Sequence, residues 1–289
     1  SQSELEAFLT RVYRSVAHPS STQEKVNTLA YFETLCTDTS SANVLVNSSL
    51  MSMFVRVLSS SKAPQLRIRL CSIMGLLMRH ATHIGDELAK SEAAKVLGEA
   101  TNDENVRVRR RAMATLGELS FYVATQPRPD AAAIWGVDES IIEVFIRTLD
   151  TETDEITKHY ACKTIENIVS HEGTSALQVS LTSCRVAKLL FTIATDEANG
   201  DQLRGTAASA LARGVRVQAD IIKPLVGEAD AQCVDARKGL VNMLRDPEPK
   251  VQQAALNLFC RALISKKAHL ATIMDERTVL PVLTALYEK

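Results

Sequence analysis

The sequence is short of the residues that break or punctuate regular structure. Its 289 residues include only 11 Gly and 8 Pro, and aromatic side chains make up 4%, with a single tryptophan. That composition suits helices rich in Ala, Leu and Val, and the runs of Thr, Val and Ile are too short and too helically spaced for strands. Six cysteines are present without a CxxC pair. Cys36, Cys71, Cys162 and Cys260 fall on apolar faces and read as buried free thiols of a reducing compartment. No apolar run approaches the roughly 18 residues of a membrane span, and no signal peptide is visible. The formal net charge of −1 offers no global attraction to nucleic acid or to an anionic membrane, so any such attraction has to be local. A protein kinase would need a glycine-rich phosphate loop, a strand lysine, and HRD and DFG stretches, and none occurs. GxSxG and GxxxxGK[ST] are missing too. The chain opens Ser-Gln-Ser without a methionine, as expected of a segment of something longer.

What is present is a repeated helix, clearest at residues 106–126, VRVRRRAMATLGELSFYVATQ. At 100° per residue, Val108, Ala112, Leu116, Leu119 and Val123 fall within an arc of about 80°. Arg107, Arg110 and Arg111 cluster on the opposite side, while Arg109 sits at the edge of the apolar arc. The order Val108-Arg109-x-x-Ala112-x-x-x-Leu116, with Asp103 six residues before Arg109, resembles the second helix of a HEAT repeat. The same small or apolar position recurs at Ala30, Leu70, Ala112, Ala161, Ala207 and Ala255, at intervals of 40, 42, 49, 46 and 48 residues. Such spacing is near the roughly 40–47 residues of HEAT and armadillo units. It predicts one all-α domain over 1–289, a right-handed α-solenoid of about six to seven helical repeats with no central core.

Caps and breakers predict helical pairs at 4–17 with 22–36, 43–58 with 65–81, and 86–100 with 104–125. Further along they predict 140–149 with 154–170, 174–195 with 200–214, and 231–245 with 248–264. Residues 127–138, PRPDAAAIWGVD, form the one long loop and lengthen the local repeat to 49 residues. An apolar segment covers 219–226, and 266–289 has room for part of a further repeat, a C-terminal cap.

LLMRHATHIGDELA (76–89), VRRRAMATLGELSFYVATQ (108–126) and KHYACKTIENIVSHEG (158–173), in this order and spacing, resemble the C-terminal helical-repeat region of Fused-type kinases. Similarity is strongest over about 64–173 and recognisable to about 265. The resemblance implies an N-terminal kinase or pseudokinase domain elsewhere in the protein. It also implies a scaffold in a cytoskeletal setting: microtubules, cytokinesis, or cilium and flagellum assembly. The partners it suggests are microtubule-associated proteins, tubulin or another Fused-type kinase. The place it suggests is the cytoplasm, at the cytoskeleton or the cilium.

No residue set points to a catalytic, cofactor or metal site. His80 and His83 stand at i and i+3, but no third ligand has a recognised spacing, and histidine near a helix C-terminus suits the dipole. His159 and Cys162 repeat that spacing without an orienting acid or oxyanion donor, so Cys162 reads as core. Asp103 with Arg109 reads as a structural pair, part of a ladder of charge-assisted bonds between neighbouring turns. Asp246 and Gln252 keep the same six-residue offset with an amide in place of the arginine. Arg107, Arg110 and Arg111 are either a solvated helix face or a basic patch on the inner wall, with Phe121 and Lys158 nearby and Glu118 as an offset. Clustered arginines suit carboxylates or phosphates, and an acidic tail such as that of tubulin is compatible. Trp135 in its Pro-flanked loop is either an exposed interface anchor or a ring folded back over an apolar groove. Residues 150–155 (DTETDE) and Lys266-Lys267 read as solvated turns.

The leading expectation is therefore a non-catalytic scaffold that binds proteins on a helical surface. The alternatives are an intramolecular regulator of its own kinase domain and a HEAT-like nucleic-acid binder using the arginine stripe. The second would show a steep salt dependence, which the near-neutral charge disfavours.

Overall fold

The computed structural model describes residues 2–18, 20–34, 36, 38–222, 231–265 and 277–288, and all regular elements among them are helical. The apolar segment predicted at 219–226 is described only to 222, as a single 3-10 turn at Ala219–Ile222. The Lys266-Lys267 turn and the first part of the predicted C-terminal cap lie outside the described residues. No single described helix is long and apolar enough to cross a membrane.

The chain divides into two compact units, Ser1–Val144 and Phe145–Lys289. The first holds α1 (Gln2–Ala17), α2 (Thr22–Glu33), α3 (Thr39–Val46), α4 (Ser49–Ser60), α5 (Pro64–His80), α6 (Ala93–Ala100), α7 (Val106–Thr125) and the short α8 (Ala131–Ile134). Helix α9 (Glu139–Thr151) runs across the division. The second holds α10 (Glu155–Ser170), α11 (Ala176–Leu181), α12 (Cys184–Thr195), α13 (Asp201–Val217), α14 (Ala231–Arg245), α15 (Pro249–Ser265) and α16 (Val279–Tyr287). Each unit is built in two layers. In the first, α2, α5 and α7 lie side by side, with α4 and α6 packed behind them. In the second, α10, α13 and α15 form the equivalent row, backed by α12 and α14.

The row helices are the ones that carry the repeated anchors. Leu70, Ala112, Ala161, Ala207 and Ala255 are all buried, whereas Ala30 of α2 is half-buried. Small side chains there let neighbouring helices approach closely. A β-carbon on Gly75 of α5 would lie 2.7 Å from the Thr115 Oγ1 of α7. Thr115 Oγ1 also donates to the Cys71 carbonyl at 2.7 Å, tying the α7 side chain to the α5 backbone.

The predicted pairs prove too simple at three places, because the first member of each pair is broken into two pieces. Residues 43–58 split at Asn47-Ser48 into α3 and α4. Asn47 Nδ2 donates to the carbonyls of Asn43 at 2.8 Å and His83 at 3.0 Å, and Ser48 Oγ donates to the Leu45 carbonyl at 2.7 Å. Residues 86–100 split at Glu92, which adopts a left-handed φ of 56° between a 3-10 turn and α6. Residues 174–195 split at Thr182-Ser183, where Thr182 Oγ1 donates to the Gln178 carbonyl at 2.9 Å and Ser183 caps α12. At two of these breaks short polar side chains compete with the helical backbone for its hydrogen bonds. The result is a repeat with a short helix, a second helix and a long row helix.

Candidate functional site

The tryptophan of the inserted loop is not a surface anchor. Trp135 is 3% exposed and meets Tyr122 edge-on, with ring centroids 5.9 Å apart. Tyr122 Oη in turn donates to the Ile84 carbonyl and accepts from the Ile84 amide, both at 2.9 Å. Arg128 Nη1 pairs with Asp86 at 2.8 Å. The loop therefore folds back over the 81–88 turn and braces it, because burying an indole against a partnered tyrosine removes more apolar surface than exposure permits.

Asp103 and Arg109 meet through the Asp103 backbone carbonyl, while the Asp103 carboxylate turns to another helix. The Asp103 carboxylate pairs with Arg67 of α5, one repeat earlier. Arg109 Nη1 donates to the backbone carbonyls of Asp103 and Glu104, at 3.1 and 3.2 Å. The second unit repeats the arrangement. Asp246 pairs with Arg204 of the preceding row helix, both about as buried as the core, while Gln252 Nε2 donates to the Leu244 carbonyl at 2.8 Å. So the residue six after the aspartate satisfies its own turn, and the aspartate reaches back to the previous repeat. A signal for this was present: Arg67, Arg109 and Arg204 each stand three residues before an anchor.

Of the arginine stripe, Arg107 and Arg111 are exposed, and Arg110 and Phe121 are half-buried. Lys158 belongs to the second unit, on α10. Glu118 is engaged by Arg79 of α5, whose Nη2 and Nε lie 2.5 and 2.8 Å from the carboxylate. Two further row-helix ions in this unit, Arg69 and Glu33, pair with each other.

The second unit carries a groove that sequence reasoning missed. Helices α10, α13 and α15 enclose a cavity of about 410 Å³. At its floor lies the buried carboxylate of Glu166. Ser209 Oγ donates to it at 2.5 Å and Lys163 Nζ at 2.7 Å, while Arg213 Nε and Lys250 Nζ stand 3.8 Å away. Burial pushes this carboxyl's pKa up, but the hydrogen bonds from Lys163 and Ser209 and the charge of Lys250 outweigh it and hold it below the ordinary range. Arg213 Nη1 also donates to Ser170 Oγ at 3.0 Å. Arg216 Nη2 donates to the carbonyls of Val169 at 2.7 Å and His171 at 2.6 Å. Lys250 Nζ donates to Thr206 Oγ1 at 3.1 Å. Gln253, Asn257 and Arg261 of α15 complete the wall. A sequence signal existed here as well: six residues after successive anchors stand Glu118, Asn167, Arg213 and Arg261.

The thiols and histidines provide no reactive centre at these positions. Burial pushes the Cys36, Cys71 and Cys162 thiols up to about 12, so they stay protonated. Cys260, expected in the core, is exposed on α15, as is Cys184 on α12. His159 is held below its ordinary pKa by burial and by the nearby charges of Lys250 and Lys163. Among the described residues, no three His, Cys, Asp or Glu side chains converge as metal ligands would.

No protein-family profile matches the chain. It is 32% identical over 306 aligned positions to the serine/threonine-protein kinase RUNKEL of Arabidopsis thaliana, an alignment covering 99% of this chain and 22% of that protein. It is 26% identical over 257 positions to the serine/threonine-protein kinase ULK4 of Mus musculus, covering 88% and 19%. The chain thus spans only about a fifth of these relatives' length. Among solved structures, an engineered protein matches with a TM-score of 0.66 at 18% identity, over 91% of this chain and 96% of that one. A designed armadillo repeat protein matches with 0.65 at 14% identity, over 91% and 99%. Another, in complex with the peptide (KR)4, matches with 0.65 at 14% identity, over 87% and 98%. These likenesses place the fold among α-solenoids of armadillo-like repeats.

Proposed function

We propose that this chain, similar along nearly its whole length to a segment of Fused-type kinases, is a non-catalytic scaffold that holds protein segments against its row helices. The observation that supports this best is the groove over α10, α13 and α15. Three successive row helices there present charged and amide side chains around one opening. A helical-repeat fold suits such a role, since its repeats offer side chains at regular intervals to an extended ligand. The designed armadillo relative in complex with a peptide is an instance of that use on the same fold. On this reading the scaffold serves a kinase or pseudokinase acting with microtubules, in cytokinesis or in cilium and flagellum assembly, and resides at those structures in the cytoplasm. Arg107, Arg110 and Arg111 form a second contact surface.

Affinity capture from dividing or ciliated cells tests it. The chain is expected to recover microtubule-associated proteins, tubulin or a Fused-type kinase. An Arg107/Arg110/Arg111→Glu variant of unchanged helicity is expected to recover less. Capture of no cytoskeletal protein by the unaltered chain would sink the scaffold reading. Undiminished capture by the variant would remove only the stripe.

A further inference from the structure

The charges of the second unit's groove specify the kind of segment it accepts. Arg213 and Arg216 of α13, with Lys250 and Arg261 of α15, line the cavity, and Glu166 is the single acid among its lining residues. That carboxylate is already committed. One oxygen accepts from Ser209 and the other from Lys163, with Arg213 and Lys250 standing 3.8 Å off. Four cations therefore face one acid, in a chain whose net charge is only −1. Arg216 is anchored by two backbone carbonyls, and Arg213 by the hydroxyls of Ser209 and Ser170. Guanidinium groups held this way lose little entropy when they take up a carboxylate, and their paired donors match its two oxygens. Arg213 and Arg261 occupy the same register on adjacent helices, six residues after their anchors.

Resting on the scaffold reading, we propose that this groove is a binding site for an acidic peptide segment. Its carboxylates are taken by Arg213, Arg261 and Lys250, and its backbone by the exposed amides of Gln253 and Asn257. In the first unit the row-helix cations Arg67, Arg69 and Arg79 are each paired with an acid. A peptide fits better than a nucleic acid. No aromatic side chain lines the groove to stack a base.

Fluorescence anisotropy on the full chain tests this with labelled peptides of about ten residues, alternating Ser with Glu, Gln or Lys, and with an oligothymidylate of similar length. The Glu peptide is expected to bind, with affinity falling as salt rises. Binding is expected to weaken about tenfold or more in the Arg213→Gln/Arg261→Gln variant, which removes two charge-assisted contacts. Glu166→Gln is expected to act in the opposite direction, tightening the Glu peptide several-fold by removing the one opposing charge. Both variants are checked by circular dichroism, and their opposite signs separate a charge effect from a loss of fold. Equal binding of the Glu and Gln peptides, insensitivity to the double variant, stronger binding of the oligothymidylate, or no peptide binding would each overturn the proposal. Glu-peptide binding unchanged in the double variant, with cellular partners still captured by the unaltered chain, would overturn it while leaving the scaffold reading intact. The absence of any partner for the unaltered chain would remove the scaffold reading itself.

Discussion

The two units place ions on their row helices in opposite ways. In the first, Arg67 pairs with Asp103, Arg69 with Glu33 and Arg79 with Glu118, each bond tying one row helix to its neighbour or to the turn before it. In the second, Arg204 and Asp246 keep the structural pair, but further along the helices Lys163, Arg213 and Lys250 crowd around the single carboxylate of Glu166. The row helices stack alike, but the residue six after the anchor is Glu118 in the first unit and Arg213 and Arg261 in the second, and Glu166 stands where the first unit has Gly75 and Gly117. The same stacking thus pairs Arg67, Arg69 and Arg79 with separate acids in one unit and sets several cations around one carboxylate in the other.

The comparison can be broken most forcefully at the shared structural pair. Asp246→Ala leaves the buried Arg204 with only the exposed Asp201 carboxylate at 3.4 Å, and it is expected to cost about 3–5 kcal/mol of local stability around α13 and α15. Asp103→Ala, whose partner Arg67 is more exposed, is expected to cost about 1–3 kcal/mol around α5 and α7. Native-state hydrogen exchange reads each unit separately, and equal losses would erase the distinction in burial. Trp135→Ala is expected to cost about 3–5 kcal/mol in the first unit, with protection falling in the 81–88 turn. A variant that kept its stability but lost partner capture would restore the tryptophan as a surface anchor.

A pH series sharpens the contrast further. Glu166 is held below its ordinary pKa in the folded protein, so its contribution is complete above the unfolded value of about 4.3 and is lost as pH falls through the lower folded value. His159 is also depressed, so folding favours its neutral form, and that contribution fades as pH falls through about 6.5 toward the folded value. The second unit is expected to weaken in two steps on acidification, the upper removed by His159→Gln and the lower by Glu166→Gln. A one-step loss unchanged by both would refute this. The smallest effect is expected for Arg79→Ala, about 0.2–1 kcal/mol, since that arginine is 58% exposed and water screens its bond to Glu118.

Much of the fold was legible because helix periodicity and anchor spacing are local properties of the chain. The interval from Ala30 to Ala255 located every row helix, and Asp103 and Asp246 marked the turns before them. The breaks at Asn47, Glu92 and Thr182 were harder to foresee, since their polar side chains would also be tolerated on an exposed helix face. Asn47 shows why: its amide is committed partly to the His83 carbonyl, 36 residues away. The site was less legible. The arginine stripe was visible as three consecutive-turn neighbours within one helix, whereas the groove draws on residues from 163 to 261 that meet only when α10, α13 and α15 stack.

By itself, then, the sequence determined an all-helical repeat array, its spacing, its buried anchors and its likeness to the kinase segment, because each rests on short-range pattern. Tertiary structure alone decided which acid each arginine meets, that Trp135 turns inward, and that Glu166 lies beneath four cations. Coulomb and desolvation energies depend on distance and burial in space, and neither can be read from separation along the chain.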